Sequence, residues 1–107
     1  MTSDPNNLTP EELFLLAVEH YQKGQYEDAL RLLIKAEETS PNGKYPKASY
    51  NKGVLYHKVF KEPEKALAAF IKAEHDSPDG KYPDASFGKG VLYEKAFKEP
   101  EKALEAY

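Results

Sequence analysis

Cysteine and tryptophan are absent from this 107-residue chain, and methionine occurs once. Without cysteine there is no disulfide framework, no thiol nucleophile and no thiolate ligand for a metal. Long apolar runs are missing as well. The longest, Leu13 to Val18, falls far short of the roughly 20 residues of a membrane-spanning helix and is too short for a secretory h-region. No membrane is therefore expected as a partner, and the cytoplasm is the default address. Neither charge dominates: 18 acids face 15 Lys and Arg, for a net charge of −3, with the two signs interspersed. A nucleic-acid footprint would need a basic stripe to neutralise phosphates, so nucleic acid is not expected either. With 40% hydrophobic and 31% charged residues, the composition is that of a folded helical protein, and the length allows one domain.

The organising feature is a repeat. Residues 42–70 (NGKYPKASYNKGVLYHKVFKEPEKALAAF) return at residues 79–107 (DGKYPDASFGKGVLYEKAFKEPEKALEAY), 37 positions later. A diverged earlier copy is visible because Ala29, Leu33, Ala36 and Pro41 precede Ala66, Phe70, Ala73 and Pro78 by the same interval. Three repeats are read, at about 9–41, 46–78 and 83–107, in one domain over 9–107. The polar residues 1–8 read as a flexible N-terminal segment. Copies two and three are as alike as recent duplication or engineering would leave them.

Within a copy, Tyr50, Val54, Tyr56, Val59 and Phe60 fall at helical spacing, which predicts a first helix, A, over Lys47 to Phe60. Glu62-Pro63-Glu64 opens a second, B, with Ala66, Leu67, Phe70, Ile71 and Ala73 on one face and Lys65, Lys72 and Glu74 left to water. Ser40-Pro41-Asn42-Gly43 and Ser77-Pro78-Asp79-Gly80 suit type I turns. Thr9-Pro10-Glu11-Glu12 suits a capping box with Thr9 as N-cap and Glu12 at N3. Such helix pairs cannot cover their own apolar faces and must stack.

Gly53, Tyr56, Ala66, Phe70, Ala73 and Pro78 in copy two resemble the tetratricopeptide repeat pattern, as do Gly90, Tyr93, Ala103 and Tyr107 in copy three. Ala17, His20, Ala29, Leu33, Ala36 and Pro41 follow it less literally in copy one. The resemblance implies an all-α fold, a right-handed superhelical stack of antiparallel helix pairs with about five to six helices. Gly53 and Ala66 would let helices approach while Tyr56 and Phe70 fill the layer between copies. The chain departs from the family in its 37-residue period and in Lys52 and Lys89, which stand where leucine is usual and so must be reorganised or snorkel outward.

The resemblance also implies a protein–protein interaction scaffold whose A helices line a concave groove for a peptide or helix. It places Phe14, Val18 and Tyr21, then Tyr50, Asn51, Val54 and His57, then Phe87, Val91 and Glu94 in that groove, with Lys58 and Lys95 at its margin. The same spacing is that of ordinary packing, and both readings stand at this point. The family's carboxylate clamp is not expected, because only Asn51 matches, while Phe14, Val18, Asp84 and Gly88 occupy its other positions. An alternative is a self-associating building block that docks Ala103, Leu104 and Tyr107 of one copy onto Leu13, Leu16 and Ala17 of another, as a homo-oligomer.

No chemistry competes with these readings. His20, His57 and His75 lie on three different helices without metal-ligand spacing, with His20 read as a packed ring and His75 as sitting at a helix C-terminus. The serines mark turns and helix starts, Gly88-Lys89-Gly90 lies inside a helix, and pairs such as Glu37-Glu38 read as solvated faces. No enzyme activity, cofactor or metal is expected.

Overall fold

Proline opens nearly every helix, where its missing N–H removes a donor that would be orphaned anyway. The computed structural model describes residues 7–107, among which there are six α-helices and no strand. They are α1 (Pro10–Gln22), α2 (Tyr26–Thr39), α3 (Pro46–Lys58), α4 (Pro63–Asp76), α5 (Pro83–Val91) and α6 (Pro100–Ala106). A π-helical turn, Leu92–Ala96, prolongs α5. Only Asn7 and Leu8 of the expected flexible segment 1–8 are described, and Leu8 packs half-buried against the first core cluster; residues 1–6 lie outside the described residues.

Local chemistry explains the ends. The Thr9 hydroxyl accepts from the Glu12 N–H at 3.1 Å while the Glu12 carboxylate accepts from the Thr9 N–H at 2.9 Å, a reciprocal capping box. The A helix of copy two stops at Lys58, short of the expected Phe60, because its last turn widens: the Phe60 N–H donates to the Leu55 carbonyl at 3.0 Å and Glu62 to Tyr56 at 2.8 Å. Lys61 then adopts a left-handed φ of 57° and releases the chain into α4. Gly43 donates to Ser40 and Gly80 to Ser77, each at 2.9 Å, closing the turns between copies. The first is not the type I turn expected, since Asn42 sits at φ 59°, a left-handed conformation that asparagine tolerates.

The helices pack as adjacent pairs, α1 with α2, α3 with α4, α5 with α6, and each pair joins the next through α2–α3 and α4–α5. The molecule is accordingly elongated, 51 × 31 × 16 Å. Small residues line the junctions: Ala36 and Ala48, then Ala73 and Ala85, are fully buried. Phe70 of α4, 2% exposed, is wedged between α3 and α5. A Cβ built on Gly53 would come within 2.5 Å of its ring and one on Gly88 within 2.8 Å. Those two glycines are therefore small because an aromatic ring occupies the space of their side chains.

Each junction also carries an ion pair, buried at the first and half-buried at the second. Glu37 of α2, 5% exposed, accepts a hydrogen bond from the Ser49 hydroxyl and meets the Lys52 ammonium at 2.6 Å, both on α3. One copy on, Glu74 of α4 accepts from Ser86 and meets Lys89 at 2.7 Å, both on α5. Two expectations are corrected here: Glu37 is not a solvated face residue, and Glu74 is not left to water. Of the two alternatives for Lys52 and Lys89, the position is reorganised around an ion pair and the lysines do not snorkel outward. A lysine replaces an apolar residue at this seam because a carboxylate from the neighbouring hairpin is there to receive it. Lys72 is not free either, as it bonds Asp76 at 2.5 Å and the Gly43 carbonyl at 2.9 Å.

Two stability experiments follow from this packing. In urea unfolding, Gly53→Ala and Gly88→Ala should each lose about 1–3 kcal/mol, despite the better helix propensity of alanine, because the Phe70 ring has no room to retreat. Lys52→Leu, which strands the Glu37 carboxylate, should cost about 3 kcal/mol, whereas Glu37→Leu with Lys52→Leu should recover most of that loss; equal losses would show that the stranded carboxylate is not the cause.

Candidate functional site

Antiparallel pairing sets the A helices α1, α3 and α5 side by side, and their separation differs between the two junctions. α3 and α5 run closer together than α1 and α3. The reason lies in two substitutions between copies. Leu33 stands where the next copy has Phe70, and Asn51 stands where it has Gly88. At the second junction the Phe70 ring fills the space and Gly88 makes way for it. At the first junction the shorter Leu33 leaves an open cleft of ≈ 370 Å³ between α1 and α3.

This cleft brings together five of the ten groove residues expected from the sequence: Val18 and Tyr21 from α1, and Tyr50, Asn51 and Val54 from α3. Its floor, Ala29 and Leu33 of the B helix α2 with Leu55 of α3, was not anticipated, although aligning Leu33 with Phe70 carries the signal. Polar groups at the rim are few. The Asn51 amide donates to the Lys47 carbonyl of its own helix at 2.8 Å, which fixes its orientation. Tyr50 stacks on Tyr82 with centroids 5.5 Å apart and lies 5.7 Å from Phe70, so the wall is rigid. Burial, and behind it the Asp84 carboxylate, pushes the Tyr50 phenol above its ordinary value, and the ring enters any contact neutral.

The remaining expected residues lie elsewhere. Phe14 is buried in the core against Tyr45, at 5.8 Å between centroids, with the Lys47 ammonium over its ring at 5.1 Å. It is therefore removed from the groove, because the link tyrosine covers it. Phe87, 62% exposed, rests on Tyr107 at 5.5 Å, and the Tyr107 hydroxyl donates to Glu94 at 2.9 Å, so Phe87 and Glu94 belong to a cluster at the third hairpin. Val91 is half-buried on α5. Of the residues assigned to self-association, Ala103 is buried within its own hairpin, as are Leu13 and Ala17 on the opposing helix. Leu104 and Tyr107 remain exposed, at 76% and 54%.

His57 lies one turn beyond the cleft, at the C-terminal end of α3. Burial holds its imidazole below its ordinary 6.5, and the charges of Lys58, Lys61 and Lys95 add to the shift. His20 bonds the Gln25 side chain, and His75 meets Asp76 at 3.1 Å. Burial alone would raise the Asp76 carboxyl; hydrogen bonds from Lys72 and His75 overcome it and hold the group below its ordinary value. Among the described residues, no three metal-ligating side chains converge and no helix is long and apolar enough to cross a membrane. No protein-family model matches the chain, and no curated protein matches it either.

The depressed His57 value fixes the sign of a pH effect. The unfolded chain takes up this proton before the folded one, so the stability that neutral His57 contributes is present above 6.5 and is lost as pH falls through the lower, folded value. Thermal unfolding followed from about pH 7 to about pH 5 should show a decline that is shallower in His57→Gln. An unchanged slope in that variant would assign the decline to other groups.

Proposed function

We propose that this chain is a tetratricopeptide-type interaction scaffold that holds an apolar side chain of a partner peptide or helix in the cleft between α1 and α3. One observation carries the reading. The repeat supplies the means to fill this space, Phe70 with Gly88, yet the first junction has Leu33 with Asn51 and keeps an apolar opening walled by Val18, Tyr21, Tyr50 and Val54. An opening of this size accepts one large aliphatic or aromatic side chain, with the tyrosine hydroxyls and Asn51 at the margin to meet a peptide backbone. The 37-residue helix-pair period and the small and aromatic residues at Gly53, Phe70 and Gly90 support the family assignment.

A second reading is favoured by a different surface. Phe87 and Tyr107, in ring contact, and Leu104, one helical turn before Tyr107, are exposed apolar residues of the third hairpin, which suits self-association.

The cleft can be closed with the molecule's own solution. Leu33→Phe with Ala17→Gly and Asn51→Gly copies Phe70, Gly53 and Gly88 of the second junction into the first, and should preserve helicity while weakening capture of peptides selected from a phage-displayed random library by about 10- to 100-fold. If the closed variant binds those peptides as well as the parent chain does, the cleft is not the site. Sedimentation velocity across a concentration series separates the second reading: a monomer at every concentration removes it, and an oligomer that Leu104→Glu dissociates supports it.

A further inference from the structure

Lys23, Lys52, Lys65, Lys72, Lys89 and Lys102 each meet a carboxylate within ion-pair distance. Among the described residues, Lys44, Lys47 and Lys81 meet none at that distance, and neither do four others, Lys58, Lys61, Lys95 and Lys98; all seven are exposed. These four share one place in the fold, the turns that close the A helices of copies two and three. Because α3 and α5 pack side by side, the turns form a single edge.

The backbone there makes the choice of lysine costly. Lys61 and Lys98 adopt left-handed φ angles of 57° and 58°. A residue with a Cβ costs about 1–2 kcal/mol in that conformation, and glycine avoids the cost. The first copy does use glycine: Gly24, at φ 78°, occupies the corresponding position. Gln22, the last residue of α1, likewise gives way to Lys58, the last residue of α3, and to Lys95 one copy on. The change therefore replaces a conformationally suited residue with a strained cation, twice, on one edge.

We propose that this edge, with Lys58, Lys61 and Lys95 grouped around His57 and Lys98 next to them, docks an acidic peptide segment through the carboxylates of an Asp/Glu run. Adjacent helices lie about 8–10 Å apart, so the two turns are separated by roughly three residues of extended chain, which lets carboxylates of one short segment reach both. Glu62 and Glu64 at the start of α4, and Glu99 and Glu101 at the start of α6, flank the lysines. They limit the favourable region to a short run and disfavour a continuous polyanion such as nucleic acid. The surface lies outside the cleft and stands independently of the peptide-anchor reading.

His57 provides a local probe: burial is the larger cause of its lowered pKa, and the rest comes from Lys58, Lys61 and Lys95, whose charge an acidic ligand would neutralise. The intact chain should be titrated with a short oligoglutamate peptide, with the matching oligoglutamine peptide, and with inorganic phosphate, while the imidazole signals of His20, His57 and His75 are followed by NMR at low and high salt. Oligoglutamate should shift His57 selectively and raise its pKa, and should bind more weakly as salt increases. Lys58→Gln with Lys95→Gln should weaken binding by about tenfold, and Lys44→Gln with Lys81→Gln on the links should have little effect. Lys61→Gly with Lys98→Gly should make the protein more resistant to urea yet a poorer binder. The proposal fails if oligoglutamine or phosphate perturbs His57 as strongly, if the link variant loses as much affinity as the edge variant, or if the glycine variant gains stability without losing binding. Closing the cleft with Leu33→Phe, Ala17→Gly and Asn51→Gly should leave oligoglutamate binding intact, so the two readings fail separately.

Discussion

A carboxylate withdrawn from water, almost wholly at Glu37 and in part at Glu74, needs a partner, and in this molecule that requirement governs how each helical hairpin sits on the next. Glu37 and Glu74 project from B helices into the junctions, and Ser49 with Lys52, or Ser86 with Lys89, must stand opposite them. Apolar contacts between alanines at the same seams tolerate a small slide or rotation; a two-pronged ionic contact does not. The pairs thus select one stacking geometry from several that hydrophobic burial would accept. Everything built on the relative positions of α1, α3 and α5 depends on that selection.

Given that geometry, side-chain volume decides where space is left. Leu33 and Phe70 occupy equivalent positions, as do Asn51 and Gly88, yet the first combination holds a cleft open and the second fills it. The asymmetry does not arise from a distinct motif. It comes from a few atoms of ring at a position where the backbone is held fixed from both sides, which is the condition under which a core cannot relax to absorb a difference in size. The lysine edge follows the same logic one turn further along the A helices, where the first copy relaxes into Gly24 and the others carry strained cations at Lys61 and Lys98.

The helices were legible in the sequence because their determinants are local: proline at the first turn, the Thr9–Glu12 capping box, and apolar residues at helical spacing. The stacking of hairpins was legible from the 37-residue repeat. The cleft was half legible. The resemblance put Val18, Tyr21, Tyr50, Asn51 and Val54 in one groove, but it put Phe14 there too, and Phe14 is withdrawn by Tyr45, a residue of the link. Phe87 and Glu94 were drawn away by Tyr107, and Ala103 was covered by its own hairpin.

By itself, the sequence determined that this chain is all-helical, where its helices begin, and that they repeat as pairs, because each of these depends on residues within a few positions of one another. Only the tertiary structure decided that Glu37 and Lys52 form a buried pair, that the first junction is open while the second is closed, and that four lysines from two turns share one edge. Those outcomes depend on distances between helices, and an inter-helix distance is set by the whole packed set of side chains at a seam. No single stretch of sequence contains that information.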